Sequence, residues 1–290
     1  HSGLTFDGIE GYPRKNTAVT FSKFELEELL KQAGFGEVEF FLPFPDYKLP
    51  SVIINAQIPN LRNYWIHNWI ETPFPDRTSN KRSLILFNET LAIKEAIEAE
   101  LLPEFANSFL ILAYKGDYEK VDNFLKMDKK WIAKKYSMSR APYFAKCVVL
   151  PLESPLKVCH RKLDPLALSP TSERGLTQNL EEENFIGGDL LTFRILESAR
   201  RKNFKEEFNL ILKEIKNFAL DNFGLTTEEH GCPLVKGEAF DLVPYNIIVD
   251  ADGNFHFIDR EWVVNEPIRI DYLLFRNVLI VLQRYRVYLP

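Results

Sequence analysis

At 290 residues and 46% hydrophobic content, the chain has material for one large domain or two and for a real core, which excludes disorder as its dominant state. A formal net charge of -5 leaves no global basic field, so bulk electrostatic binding of nucleic acid is excluded as its main activity. Cys147, Cys159 and Cys232 lack C-x-x-C spacing and argue against a disulfide framework or a zinc ribbon, and no stretch approaches the roughly 18–20 uninterrupted apolar residues of a membrane span.

These features lead us to expect a cytoplasmic protein without a transmembrane segment or a signal peptide. The opening "HSGLTF" reads as a vector-derived remnant running into mid-domain sequence. Residues 21–34, "FSKFELEELLKQAG", carry the clearest local signal. Ser22 and Glu25 form a capping box, Phe21 and Leu26 are placed as a staple, Leu26, Leu29, Leu30 and Ala33 share one apolar face, and Gly34 supplies the stop. "EVEFFLPFPDYKLP" reads as a strand ended by prolines, and "IETPFPDRTSNKR" as an exposed connection and domain boundary. The aromatics of "LRNYWIHNWIETPF" suit core packing or an interdomain contact better than a sugar-stacking platform.

Beyond that boundary, "SLILFNE" predicts a strand, "TLAIKEAIEAELL" a helix and "SFLILAYK" a buried strand. The basic run "KMDKKWIAKKYSMSR" suits a solvated helix face or a phosphate-facing strand. "WIAKKYS", "YFAKCVVLP" and "LKVCHRKL" predict an antiparallel meander. Residues 165–182 look loop-like or weakly helical, and "NFIGGDLL" reads as a strand ending in two glycines. Phe208, Ile211, Leu212, Ile215 and Ala219 recur at helical spacing before Gly224, and "YLLFRNVLIVLQRY" predicts another buried helix.

Between those two helices lies "EAFDLVPYNIIVDADGNFHFIDREW". "NIIVD" and "FHFID" flank "ADGN", whose Asp-Gly marks a hairpin turn. Such a hairpin brings Asp241, Asn246 and Asp259 to one end. Phosphoryl transfer needs this chemistry: one carboxylate to orient or deprotonate the attacking hydroxyl, and an amide oxygen and a second carboxylate to hold magnesium. Asp241 and Asn246 reproduce the D-x-x-x-x-N spacing of protein kinases, although Ala239 and Phe240 replace the preceding His-Arg. Asp and Asn are also ordinary turn residues, and the spacing alone favours that plainer reading. The hairpin, the aspartate at its exit, the amphipathic helix before it and the upstream meander reverse the balance. His230 with Cys232 is too sparse for a metal site, and Ser137 and Ser139 lack a His-Asp arrangement for a nucleophile.

The segment "GEAFDLVPYNIIVDADGNFHFIDREW" resembles the catalytic part of kinase-like domains related to aminoglycoside and choline phosphotransferases. More broadly, the chain resembles bifunctional methyltransferase-kinases that terminate bacterial O-antigen and related surface polysaccharides. "FDGIEGYP", "FSKFELEELLKQAGF" and "PFPDYKLP" carry the likeness to the end of a class I methyltransferase domain. "PEFANSFLILA", "KYSMSRAPYFAK", the hairpin segment and "DYLLFRNVL" carry it into the kinase-like part.

The resemblance implies an α/β and α+β chain: a methyltransferase remnant and connection at 1–80, connecting elements and a kinase-like N-lobe at 81–186, and a C-lobe at 187–290. It implies an ATP- and Mg2+-dependent phosphotransferase acting on a terminal sugar hydroxyl of a glycan acceptor, coupled in the full protein to methylation, and working with polysaccharide-synthesis glycosyltransferases at the inner face of the membrane. Asp241 would be the catalytic base, Asn246 and Asp259 the metal ligands, and "SMSR", with Ser137, Ser139 and Arg140, the turn over the phosphates. For the nucleotide cation, the family pattern V-x-K-R-x-L puts His160 at the lysine's place, so Lys162 is the candidate and Arg161 the next. Glu173 and Glu181 to Glu183 are candidates for its acidic partner.

The glycine-rich turn and acidic residue of an S-adenosylmethionine site are missing, so that cofactor is expected only in a longer parent protein. Two rival readings stand beside the enzyme: a non-catalytic kinase-like module that binds nucleotide or glycan, and a scaffold fragment of a methyltransferase.

Overall fold

Local chemistry sets the first helix. Ser22 Oγ accepts the Glu25 amide at 3.2 Å and Glu25 Oε2 accepts the Ser22 amide at 2.9 Å, closing the capping box at the start of α1 (Lys23–Gln32). At the other end Gly34 adopts φ +85°, and the bonds Phe35 N–H to Leu30 O and Gly34 N–H to Lys31 O make a Schellman stop. The expected apolar face is not buried, however: no residue of α1 is, and Leu29 remains 48% exposed. Short-range capping thus defines this helix more than packing does. Replacing Ser22 by Ala is expected to cost α1 about 1 kcal/mol, read as faster hydrogen exchange of its first-turn amides.

The computed structural model describes residues 21–70, 87–116, 130–137, 140–167 and 175–290. Over these the chain is mixed α/β with antiparallel sheets. It divides by contact into two units that interleave along the sequence. Unit 1 takes 1–83, 92–137 and 147–156; unit 2 takes 84–91, 138–146 and 157–290.

Unit 1 is built on β1 (Glu37–Phe44), β2 (Val52–Asn55), β3 (Leu110–Tyr114), β4 (Trp131–Tyr136) and β5 (Lys146–Pro151), in the order β3-β1-β2-β4-β5. Lys146, the first residue of β5, groups with unit 2. β1 pairs with β2 and β3, β2 with β4, and β4 with β5, all antiparallel. Consecutive buried residues from Phe40 to Phe44 show that this end of β1 is covered on both faces, and Phe41 stacks on Trp131 at 5.5 Å. In the aromatic-rich stretch Leu61, Ile66 and Ile70 are buried, whereas Tyr64, Trp65 and Trp69 are half-buried.

The strand expected over "SLILFNE" does not appear in its described part. Asn88 Oδ1 instead accepts the Leu91 amide at 3.1 Å and starts α2 (Glu89–Glu98), because a side-chain acceptor there favours a helix start. A one-turn α3 (Leu102–Phe105) follows.

Unit 2 opens with β6 (Lys157–Lys162), β7 (Leu176–Gln178), β8 (Glu183–Asn184) and β9 (Asp189–Leu190). "NFIGGDLL" is therefore not one strand but two short ones flanking the glycines. Gly188 has φ +137°, and a Cβ there would lie 2.3 Å from Val249 O, so close backbone approach breaks the strand. Residues 191–198, for which no helix was expected, form α4 (Leu191–Ser198). The expected amphipathic helix is α5 (Phe204–Phe223), with Ile211, Ile215, Ala219 and Phe223 inward.

Then come β10 (Gly224–Glu229), β11 (Cys232–Val235), β12 (Ile247–Val249), β13 (Phe255–Phe257), β14 (Trp262–Val264), β15 (Ile268–Arg269) and α6 (Ile270–Tyr285). The hairpin forms in the expected register, Ile247 opposite Phe257 and Val249 opposite Phe255. β9 adds to its edge, β7 pairs with β14, and β6 with β8. Side chains from α4, α5, α6 and the hairpin share one core. The helix expected over "YLLFRNVLIVLQRY" forms as α6 and is buried on one face, through Ile270, Leu273, Asn277, Val281 and Tyr285, whereas Tyr272, Phe275, Leu279 and Leu282 are exposed.

Candidate active site

All the groups of this site lie in unit 2. After β11 the chain makes a 3-10 turn, Gly237–Asp241, and a second, Pro244–Asn246, before entering β12. Gly237 is pressed against β14, where a Cβ would fall 1.7 Å from the Val264 carbonyl oxygen. Only a glycine fits without moving backbone, so Gly237→Ala is expected to destabilise unit 2 by more than about 2 kcal/mol, measured by chemical denaturation.

The D-x-x-x-x-N spacing closes into a knot. Asn246 Nδ2 donates to the Asp241 carbonyl at 3.0 Å and reaches the Asp259 carbonyl at 3.5 Å. One buried amide thereby ties the turn, the hairpin and its exit together. The three residues singled out from sequence are thus brought together.

Asp241 is 4% exposed. Burial pushes its carboxyl from the ordinary 3.8 up to about 6; Arg276 opposes the shift and the charges of Asp259 and Glu261 add to it. Arg276, on α6, holds the turn: it lies 3.5 Å from Asp241 Oδ1, donates to the Phe240 carbonyl and sits over the Phe240 ring at 4.2 Å. Beside it, buried Asn277 donates to the Leu242 carbonyl at 3.0 Å.

Asp259 has φ +47°, a left-handed conformation that is uncommon outside glycine. Glu183 stabilises the bend by accepting the amides of Asp259 at 2.8 Å and Arg260 at 3.2 Å. Of the acidic residues weighed as partners of a nucleotide lysine, Glu183 thus serves the backbone instead, and Glu173 lies outside the described residues.

The cation brought to Asp259 comes from β5. Lys146 Nζ lies 2.6 Å from Asp259 Oδ1 and 2.9 Å from Glu261 Oε2, with its side chain 2% exposed. Glu261 is equally buried and also accepts Arg140 Nη1 at 2.5 Å and Gln178 Nε2 at 2.7 Å. Arg140 lies 5.8 Å from the Trp262 ring centre, and Trp262 meets Phe144 edge-on at 4.9 Å.

His160, at the position where the family pattern has its lysine, sits 3.5 Å from Lys146 Nζ through Nδ1. Burial, with the Lys146 charge, pushes the imidazole below its ordinary value against the pull of Asp259. A neutral ring accepting from Lys146 at Nδ1 carries its proton on Nε2, which is buried and has no partner among the described residues.

Of the cations expected from sequence, Arg161 is exposed and Lys162 half-buried on β6, and neither makes an ion pair with a described residue. Arg140 is in the cluster, Ser137 is half-buried, and Ser139 lies outside the described residues. Lys146 was missed. Its signal was available in "YFAKCVVLP": a lysine opening an otherwise apolar strand must find an anion if it is buried.

Beside Asp259 a cavity of about 290 Å³ is lined by His160, Glu183, Ile186, Phe257 and Ile258, among others. The described residues include no cluster of three or more His, Cys, Asp or Glu able to hold a metal, and no helix long and apolar enough to cross a membrane. No family model, curated protein or solved structure matches the chain.

Proposed function

We propose that unit 2 is a kinase-like phosphotransferase that moves the γ-phosphoryl group of ATP to an alcohol. The observation that carries this reading is the Asn246 knot, which holds a catalytic-type aspartate and a metal-type aspartate around one amide. A base with a raised pKa in a buried setting, and a cavity beside the second aspartate, fit the same chemistry.

Asn246 Oδ1 and the Asp259 carboxylate would supply a bound ion with two hard oxygen donors. That suits Mg2+, which takes most of its six ligands from water and phosphate, and it needs no cluster of three acidic side chains. When bound, the ion neutralises phosphate charge. Asp241 accepts the proton of the attacking hydroxyl as its oxygen bonds to the γ-phosphorus and the bond to ADP breaks. Arg276 orients Asp241 and tempers its rise in pKa. The cavity lining is largely polar, and Ile186, Phe257 and Ile258 are its apolar residues, against which a flat nucleotide base would pack.

The resemblance to polysaccharide-terminating enzymes supports a terminal sugar hydroxyl of a bacterial surface glycan as acceptor, and assigns methylation with S-adenosylmethionine to a longer parent protein. A second reading, nucleotide binding without transfer, draws on the grip of Lys146 on Asp259. Incubating the purified chain with γ-labelled ATP, Mg2+ and short glycan acceptors separates the two. Label on an acceptor is the expected result, and nucleotide binding without label on any of them favours the module.

A further inference from the structure

We propose that Arg276 reads the acceptor: its free N–H groups hold an oxygen on the carbon next to the reacting hydroxyl, so that the site takes a vicinal diol of a neutral sugar. The inference rests on the phosphotransferase reading and names the acceptor class of that site.

Distance comes first. An alcohol that gives its proton to Asp241 lies about 2.6–3.2 Å from that carboxylate, and Arg276 Nη2 lies 3.5 Å from Asp241 Oδ1. The reacting oxygen is then no more than about 7 Å from the guanidinium, a gap that a substituent on the adjacent carbon bridges.

Fixation comes second. Arg276 Nη1 donates to the Phe240 carbonyl, and the guanidinium lies 4.2 Å from the Phe240 ring centre. Next to it on α6, Asn277 Nδ2 donates to the Leu242 carbonyl at 3.0 Å. Helix and turn are thus tied on both sides of Asp241. The guanidinium is set in place before an acceptor arrives, which lowers the ordering cost of binding one.

Unused donors come third. A guanidinium carries five N–H groups in a planar fork. Those of Arg276 beyond the bonds to Phe240 and Asp241 have no partner among the described residues. Its side chain is 19% exposed against 6% for Asp241, so it is the more accessible member of the pair. Asp241 already opposes its charge, and the remaining donors therefore suit neutral oxygen atoms and need no anion.

The test measures transfer from γ-labelled ATP with Mg2+ to methyl glucoside, methyl galactoside and methyl mannoside, each compared with its monodeoxy forms, in wild type, Arg276→Met and Arg276→Lys. In wild type, removing the hydroxyl next to the phosphorylated one is expected to lower acceptor kcat/KM about tenfold or more, and removing a remote hydroxyl to cost much less. Arg276→Met loses activity with every acceptor through its hold on the turn. The penalty for the missing neighbouring hydroxyl is nevertheless expected to shrink to within about twofold, which a merely structural role does not produce. Arg276→Lys keeps the charge without the fork, and is expected to lose most of the discrimination while KM for ATP stays within about twofold. If Arg276→Met does not fold, Arg276→Lys carries the comparison. A penalty of equal size in wild type and variant overturns the inference alone. Absence of label from every glycoside while ATP and Mg2+ bind overturns the sugar acceptor, and the inference with it. Failure to bind ATP with Mg2+ at millimolar concentrations overturns the phosphotransferase reading itself.

Discussion

Asp241→Asn is expected to lower phosphoryl transfer by about 10²- to 10⁴-fold, the usual contribution of a positioned general base, while leaving binding of ADP with metal within about twofold of wild type. The substitution keeps the shape of the side chain and its approach to Arg276, so the loss falls on proton acceptance and not on the turn. Transfer that survives at wild-type rate removes Asp241 from the mechanism.

The shifted pKa adds a pH profile. Asp241 acts as a base only when ionised, so kcat/KM is expected to fall as pH drops through about 6. Stability carries the opposite sign. A carboxyl whose folded value is raised from 3.8 to about 6 is released more readily by the unfolded chain, so its effect on stability becomes unfavourable as pH rises through that window. Asp241→Asn removes this cost. The variant is therefore expected to be at least as stable as wild type at pH 7, and a marked fall in its denaturation midpoint would show that the ionised carboxylate is structural.

The second large effect is on stability. Glu261→Ala is expected to destabilise unit 2 by about 3–5 kcal/mol, the range found when one partner of a buried ion pair is removed. Three donors lose one acceptor at once, Lys146 Nζ, Arg140 Nη1 and Gln178 Nε2, around a carboxylate only 2% exposed; Gln178 Nε2 keeps the Phe144 carbonyl at 3.4 Å. Lys146 retains Asp259, but the balance between the two ammonium and guanidinium charges and their two carboxylates is lost. Glu261→Gln keeps an acceptor oxygen and should cost less. A solvent-exposed pair provides the control: Arg194 and Glu214 on α4 and α5 are 44% exposed each, and Arg194→Ala should cost no more than about 1 kcal/mol. Denaturant titration, with hydrogen exchange of the β13 and β14 amides to localise the loss, separates these variants. An effect of Glu261→Ala no larger than that of Arg194→Ala would mean that the buried cluster contributes no net stabilisation.

Much of the local structure could be read directly. The capping box and Schellman stop of α1, the Asp-Gly hairpin and the inward stripe of α5 each depend on residues within one element or one turn. Where the reading failed, longer-range packing intervened. "NFIGGDLL" breaks because Gly188 must approach the backbone of Val249, and the apolar side of α1 is only partly covered, with Leu26 and Leu30 half-buried and Leu29 exposed. The apolar content of α6 marked it as a buried helix, but composition cannot tell which side faces the core.

The site divides in the same way. Asp241, Asn246 and Asp259 lie within nineteen positions of one another on two turns and a hairpin, so spacing together with the hairpin made them a group. Lys146 is 113 residues from Asp259, Arg140 is 121 from Glu261, Glu183 is 76 from Asp259, and Arg276 is 35 from Asp241. Sequence by itself brought together the residues proposed as base and metal ligands, because hairpin geometry is local. Only the tertiary structure decided which cation faces them: a buried charge is tolerable only beside its counter-charge, and that pairing is made when distant strands meet.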